Sequence, residues 1–126
     1  MAGLILDAGA LIAAERHDRE FWAIWQEAER RDVDVIVPAS VVAQVYRGGR
    51  SARVAKVLKA CVVQPLDDAR ARRIGVLCGK SRTADVVDAH VVLAAAAAGA
   101  DVVTPDADEI NHLMRFAPGC GGLIRI

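Results

Sequence analysis

Short apolar runs alternate along the chain with longer stretches whose apolar residues recur every three or four positions. That order predicts a parallel sheet layered with helices rather than a sandwich. Leu4–Leu6 reads as a buried first strand, followed by helical patterns over residues 8–16 and 20–31, the second carrying Phe21, Ile24, Trp25 and Ala28 on one face. Residues 33–37 read as a second strand broken by Pro38, with Ser40 placed to cap the helix through Val42, Val45 and Tyr46. Gly48 and Gly49 interrupt the chain before a basic helix over residues 51–60. A short third strand over residues 61–63 ends at Pro65, a helix covers 67–78, and 79–82 reads as loop. The helix over 85–98 stops at Gly99, a natural C-cap. Residues 101–104 form a fourth strand, 107–116 a helix and 123–126 a last edge strand.

The chain's 126 residues suit one compact domain, residues 1–126, with no linker. Sixteen basic residues against 16 acidic ones, with hydrophobic content at 54%, argue against disorder and against general polyanion binding, so any nucleic-acid contact must be local. The longest Ala-rich run, residues 91–100, is far shorter than the roughly 20 apolar residues of a membrane span. No signal sequence opens the chain. Three cysteines, Cys61, Cys78 and Cys120, have spacings that support neither a disulfide framework nor a zinc site. A cytoplasmic, reduced protein is the expectation.

The acids change the picture. The stretch TADVVDAHVV puts Asp85 and Asp88 into an apolar run, where an unpartnered carboxylate is costly. Ligands of open parallel sheets bind outside the carboxyl ends of the strands, and three acids fall there: Asp7 after LIL, Asp106 after VVT and one proline, and Asp88 in the first turn of a helix. Asp108 and Glu109 stand just beyond. Each acid alone has a structural explanation, since aspartate is favoured as a cap and in a first helical turn. Converging carboxylates about 4 Å apart would repel by roughly 4 kcal/mol per pair at an effective dielectric of 20, and so would raise their pKa values or bind cations. Hard oxygen donors select Mg²⁺ or Mn²⁺. Such ions lower the pKa of a water and stabilise a leaving oxygen, which suits hydrolysis of nucleic acid.

Taken together and in order, LILDAGALIA, VPASVVAQVYRGG, DVVDAHVVLAA and VVTPDADEI resemble the PIN-domain ribonucleases, most closely the VapC toxins of bacterial toxin–antitoxin pairs. The resemblance spans essentially the whole chain. It implies a three-layer α/β/α fold around a short parallel sheet, Mg²⁺- or Mn²⁺-dependent cleavage of RNA, a VapB-type antitoxin and a homodimer. It matches Asp7, Asp88 and Asp106 to the family's metal-holding acids and Thr104 to its Ser/Thr beside the last of them. Asp108 and Glu109 fall where a secondary ligand is common, and Asp85 is an outer acid. One position departs: Gln44 stands where the family usually has a glutamate. An amide oxygen can still ligate a hard cation, but losing the formal charge forgoes roughly 4 kcal/mol per unit of cation charge at an effective dielectric of 20. The alternative reading is therefore a catalytically impaired module on the same fold that binds RNA or antitoxin. Receiver-like and haloacid-dehalogenase-like readings lack their required second acids; Gly9 stands where the latter needs an aspartate.

Arg47, Arg50, Arg53, Lys56 and Lys59 lie in a stretch, residues 45–66, without an acid. Arg47 and Arg50, and more weakly Arg82, are the expected RNA contacts, whereas Lys56 and Lys59 equally suit a solvated face. Trp22 is offset from the core face of its helix, so it is expected to be exposed beside an antitoxin groove. His90 points away from Asp88 and suits the core. His17 and His112 have no partner evident in the sequence.

Overall fold

The apolar runs become strands because each can be buried on both faces. In the computed structural model, which describes residues 3–126, β1 (Leu4–Leu6), β2 (Val35–Pro38), β3 (Val62–Gln64), β4 (Asp101–Thr104) and β5 (Leu123–Arg125) form one parallel sheet in the order β3-β2-β1-β4-β5. Among the described residues the helices are α1 (Ala8–Glu15), α2 (Arg19–Arg30), α3 (Ala39–Val45), α4 (Ala52–Ala60), α5 (Asp68–Ser81), α6 (Val86–Ala98) and α7 (Ala107–Met114). The chain steps outward from β1 to β3, then restarts on the other side of β1 with β4. Right-handed crossovers therefore place α1 to α4 over one face and α5 to α7 over the other. The result is the expected three-layer α/β/α fold with a short parallel central sheet.

The restart makes a switch point between β1 and β4, where Leu6 is in register with Val103. Crevices of open α/β sheets form at such a point, outside the carboxyl ends of the two strands. Ile5, Val37, Val102 and Val103 are wholly buried in the sheet. α6 lies across β1, β2 and β4, and the small buried Ala89, Ala94 and Ala95 let it sit close. It ends as expected at Gly99, whose φ of 62° is one that glycine adopts without strain. No helix among the described residues is long and apolar enough to cross a membrane.

Five local expectations differ from the structure. β2 begins at Val35, not Val33, because the Val33 N–H turns back to the Ala28 carbonyl at 2.9 Å and closes α2. Pro38 ends β2 instead of breaking it; as the last strand residue, paired with Gln64, it needs no ladder donor. Ser40 does not cap α3. Its hydroxyl meets His90 Nδ1 at 2.7 Å, and Pro38 holds the cap position with no side-chain bond. Residues 79–81 are helical rather than loop: Leu77 and Cys78 bury the end of α5, Ser81 Oγ donates to the Leu77 carbonyl at 2.7 Å, and Arg82 at φ 58° closes the helix. α7 also stops two residues early, at Met114, which leaves Phe116 in a turn and 40% exposed.

Candidate functional site

Two of the acids sit at the switch point because the strands end there, and local hydrogen bonds fix both. Asp7 follows β1, is only 1% exposed, and caps α1 by accepting the Ala10 N–H at 2.8 Å. Asp106 follows β4 after Pro105. It occupies the cap position of α7 but makes no side-chain cap bond, so its exposed carboxylate is free. Thr104, fully buried at the end of β4, accepts the Asp106 N–H at 2.8 Å on its hydroxyl oxygen. That leaves its proton for the Asp7 carboxyl. Gly9 lets α1 approach this loop: a Cβ there would stand 2.7 Å from Pro105 Cδ, closer still to Cγ, and 3.5 Å from Asp106 Oδ2.

The third acid comes from the opposite layer. Asp85 caps α6, accepting the Asp88 N–H at 3.0 Å, and Asp88 is half-buried in the first turn. The structural roles available to single acids are thus real for Asp7 and Asp85.

The ionisation of these groups records how they face one another. Burial pushes the Asp7 carboxyl up to about 6, a rise that the Thr104 hydroxyl and Ala10 N–H oppose and the Asp106 charge reinforces. Burial likewise raises Asp88 to about 7, helped by the charge of Asp85, by a hydrogen bond to Asp85 that needs the proton, and by the charges of Asp7 and Asp106. Carboxylates that hinder each other's ionisation in a desolvated corner are chemically suited to a hard divalent cation. As the side chains stand, no group of three or more His, Cys, Asp or Glu among the described residues is close enough to hold one ion together.

A cleft of about 330 Å³ opens beside Asp88, lined by Thr83, Asp85, Asp88, Asp108, Glu109, His112 and Leu113. Asp88 is common to this cleft and to the group at the switch point. His112 was missed by the sequence reading, although its spacing of four from Asp108 puts both on one face of α7. It does have a partner: its Nε2 bonds the Ser81 carbonyl at 2.9 Å. His17 is exposed, with its ring centroid 6.4 Å from that of Trp22.

The other sequence candidates are placed less centrally. Gln44 is exposed on α3, and among the described residues no hydrogen bond joins its side chain to an acid. Arg47 turns its guanidinium onto the carbonyls of Ala43, Gln44 and Tyr46 at the end of α3. Arg50 is exposed in the turn before α4, and Arg82 is exposed beside Thr83 at the lip of the cleft. Arg53 bonds the Glu15 carbonyl at 3.0 Å, and Lys56 lies 6.0 Å over the Trp22 ring. Trp22 is not exposed: it is half-buried, with its indole N–H donating to the Ala14 carbonyl at 3.2 Å. His90 takes the expected core place, 1% exposed between Ser40 and Gln64.

No protein-family model and no curated protein matches the sequence. Solved structures do match the fold. VapBC2 from Rickettsia felis, bound to a DNA fragment from their promoter, aligns with TM-score 0.68 at 12% identity over 98% of each chain. FitAB bound to an IR36 DNA fragment aligns with TM-score 0.67 at 14% identity over 97% of this chain and 94% of the other. PAE2754 from Pyrobaculum aerophilum aligns with TM-score 0.58 at 18% identity over 95% and 90%. Across nearly its whole length, then, the chain has the PIN-like three-layer fold that its four motifs led one to expect.

Proposed function

We propose that the chain is a Mg²⁺- or Mn²⁺-dependent endoribonuclease acting as the toxin of a type II toxin–antitoxin pair. The observation that supports this reading is that burial, together with the charge of the neighbouring acids at the switch point, holds the carboxyls of Asp7 and Asp88 well above their ordinary range. Held by Asp7, Asp88 and Asp106, a divalent ion would lower the pKa of a water and offset charge on the phosphodiester. Thr104 orients Asp7 and fixes the loop carrying Asp106. A protonated Asp88 bonds Asp85 when no cation is near, and Asp108 and Glu109 extend the acidic wall. The N-termini of α1, α6 and α7 point toward the same corner and favour both carboxylates and a phosphate.

The partner is a VapB-type antitoxin, a reading supported by the fold match to VapBC2 and FitAB, each seen with DNA. With Trp22 packed inward, the antitoxin's apolar seat is the cleft of about 310 Å³ on the other side of α2, beside Ala23, Ile24, Val33 and Ile124. A second copy of the chain pairs along the β3 edge, where Val62, Val63 and Leu66 are 59%, 43% and 48% exposed.

One observation favours a second reading. Gln44, exposed and unlinked to the acids, brings no charge to the site, as expected of a module that binds RNA or antitoxin without cutting. Cleavage of total RNA by the purified chain, freed of partners, separates the two across a Mn²⁺ and Mg²⁺ titration. Discrete cutting that Asp7→Asn abolishes supports the nuclease. An inert wild type beside an active Gln44→Glu variant supports the binding module.

A further inference from the structure

A strand of RNA brought to an acidic cleft needs cations beside it, and the segment carrying most of the expected ones is largely committed elsewhere. Arg47 caps α3, Arg53 is tied to Glu15 and Lys56 covers Trp22. α5 differs. Arg73 and Lys80 are exposed and make no ion pair among the described residues. Seven residues apart, they share one helix face about 10 Å from each other along the axis.

Both line a groove of about 400 Å³ between α5 and the end of α7, whose floor includes Val76 and Phe116, 58% and 40% exposed. The groove adjoins the acidic cleft. His112, which lines the cleft, precedes Phe116 by one turn with ring centroids 5.5 Å apart, and its bond to the Ser81 carbonyl closes the gap between α7 and α5. His112 therefore stands between the two concavities.

We propose that this groove holds the single-stranded RNA flanking the bond placed in the cleft, with phosphates on Lys80 and Arg73 and a base on the Phe116 ring. The inference rests on the reading of the cleft as a ribonuclease site. An apolar floor alone would equally suit an acidic peptide. Unpaired cations spaced along the groove, an exposed aromatic ring and continuity with the cleft favour RNA. A paired base cannot lie on that ring, so the strand must be single.

The test is anisotropy of a fluorescein-labelled 12-nucleotide oligouridylate in EDTA, where cleavage is off. The Arg73→Ala/Lys80→Ala double variant binds at least about tenfold more weakly, with a slope of log affinity against log salt reduced by about 1.4, or 0.7 per lost phosphate contact. Phe116→Ala binds about fivefold or more weakly with the slope unchanged. Oligouridylate paired with oligoadenylate binds more weakly than the single strand. Wild-type affinity in both variants, or no binding of the RNA by the wild type, overturns the inference. So does binding of an alternating Glu-Leu octapeptide that the same variants lose while RNA binding stays intact, which would assign the groove to a protein partner. Cleavage assayed separately with Mn²⁺ distinguishes the failures: a chain that binds RNA through the groove and does not cut contradicts only the nuclease reading.

Discussion

The two ends of the strands use aspartate in opposite ways, and β4 shows both. At its start, the Asp101 carboxylate accepts the Gly122 N–H at 2.6 Å and stitches β5 to the sheet. Five residues on, past the other end of the strand, Asp106 sits at a helix cap position without a cap bond, and its charge is felt by the buried Asp7 and by Asp88 of another layer. The first acid is satisfied by the fold. In the second group donors do answer Asp7, but burial and the charge of neighbouring acids outweigh them, and that crowding is what distinguishes the two.

Removing charge from the crowded end therefore stabilises the fold. Burial pushes the Asp7 carboxyl from an ordinary 3.8 up to about 6, so the folded state holds its proton more tightly than the unfolded chain does. Its contribution to stability is fully present below about pH 4 and is lost as pH rises through 6, amounting to about 3 kcal/mol. Asparagine is uncharged and still caps α1. Urea unfolding in EDTA is therefore expected to show Asp7→Asn more stable than wild type by about 3 kcal/mol at pH 8, a gap that closes toward pH 4, even as divalent-dependent cleavage is lost. Equal stabilities at pH 8 would break the comparison.

Next in size is Gly9→Ala. The new methyl meets Pro105 and must push the Asp106 loop away from Asp7, at about 1–3 kcal/mol of overpacking. Thermal unfolding reads the cost, and a weaker Mn²⁺ dependence of cleavage reads the displaced acid. Thr104→Val leaves the Asp106 N–H without its acceptor, a loss of about 1–2 kcal/mol, and raises the Asp7 pKa further, so the cleavage profile moves to higher pH. Smallest is Asp101→Ala at the quiet end, about 1 kcal/mol or less because water can reach the freed Gly122 N–H, with cleavage unchanged. A loss of cleavage there would show that the two ends of the strands are not separable.

What the sequence made legible follows from local rules. Apolar runs marked the strands, acids after β1 and β4 marked the switch point, and Gly99 marked the end of α6. The misplaced details depend on partners far along the chain. Ser40 reads as a helix cap until His90, 50 residues away, takes its hydroxyl. Gly79 reads as a helix breaker, yet its cost of about 1 kcal/mol is outweighed by the burial of Leu77 and Cys78 just before it and of Ser81 just after. Trp22 is offset on a helical wheel, but the Ala14 carbonyl and Lys56 draw it in. The groove on α5 escaped notice because its cations are scattered in sequence and gather only on the folded helix face.

The most direct test of the central claim is calorimetric titration of Mn²⁺ into the EDTA-dialysed, partner-free chain at pH 8 and pH 5.5. If the acids of the switch point form a cation site, Mn²⁺ binds at pH 8 and binds at least tenfold more weakly at pH 5.5, where Asp7 and Asp88 keep their protons. Asp88→Asn would then bind weakly at both. No binding at pH 8, or the same affinity at both pH values and in the variant, would contradict the account.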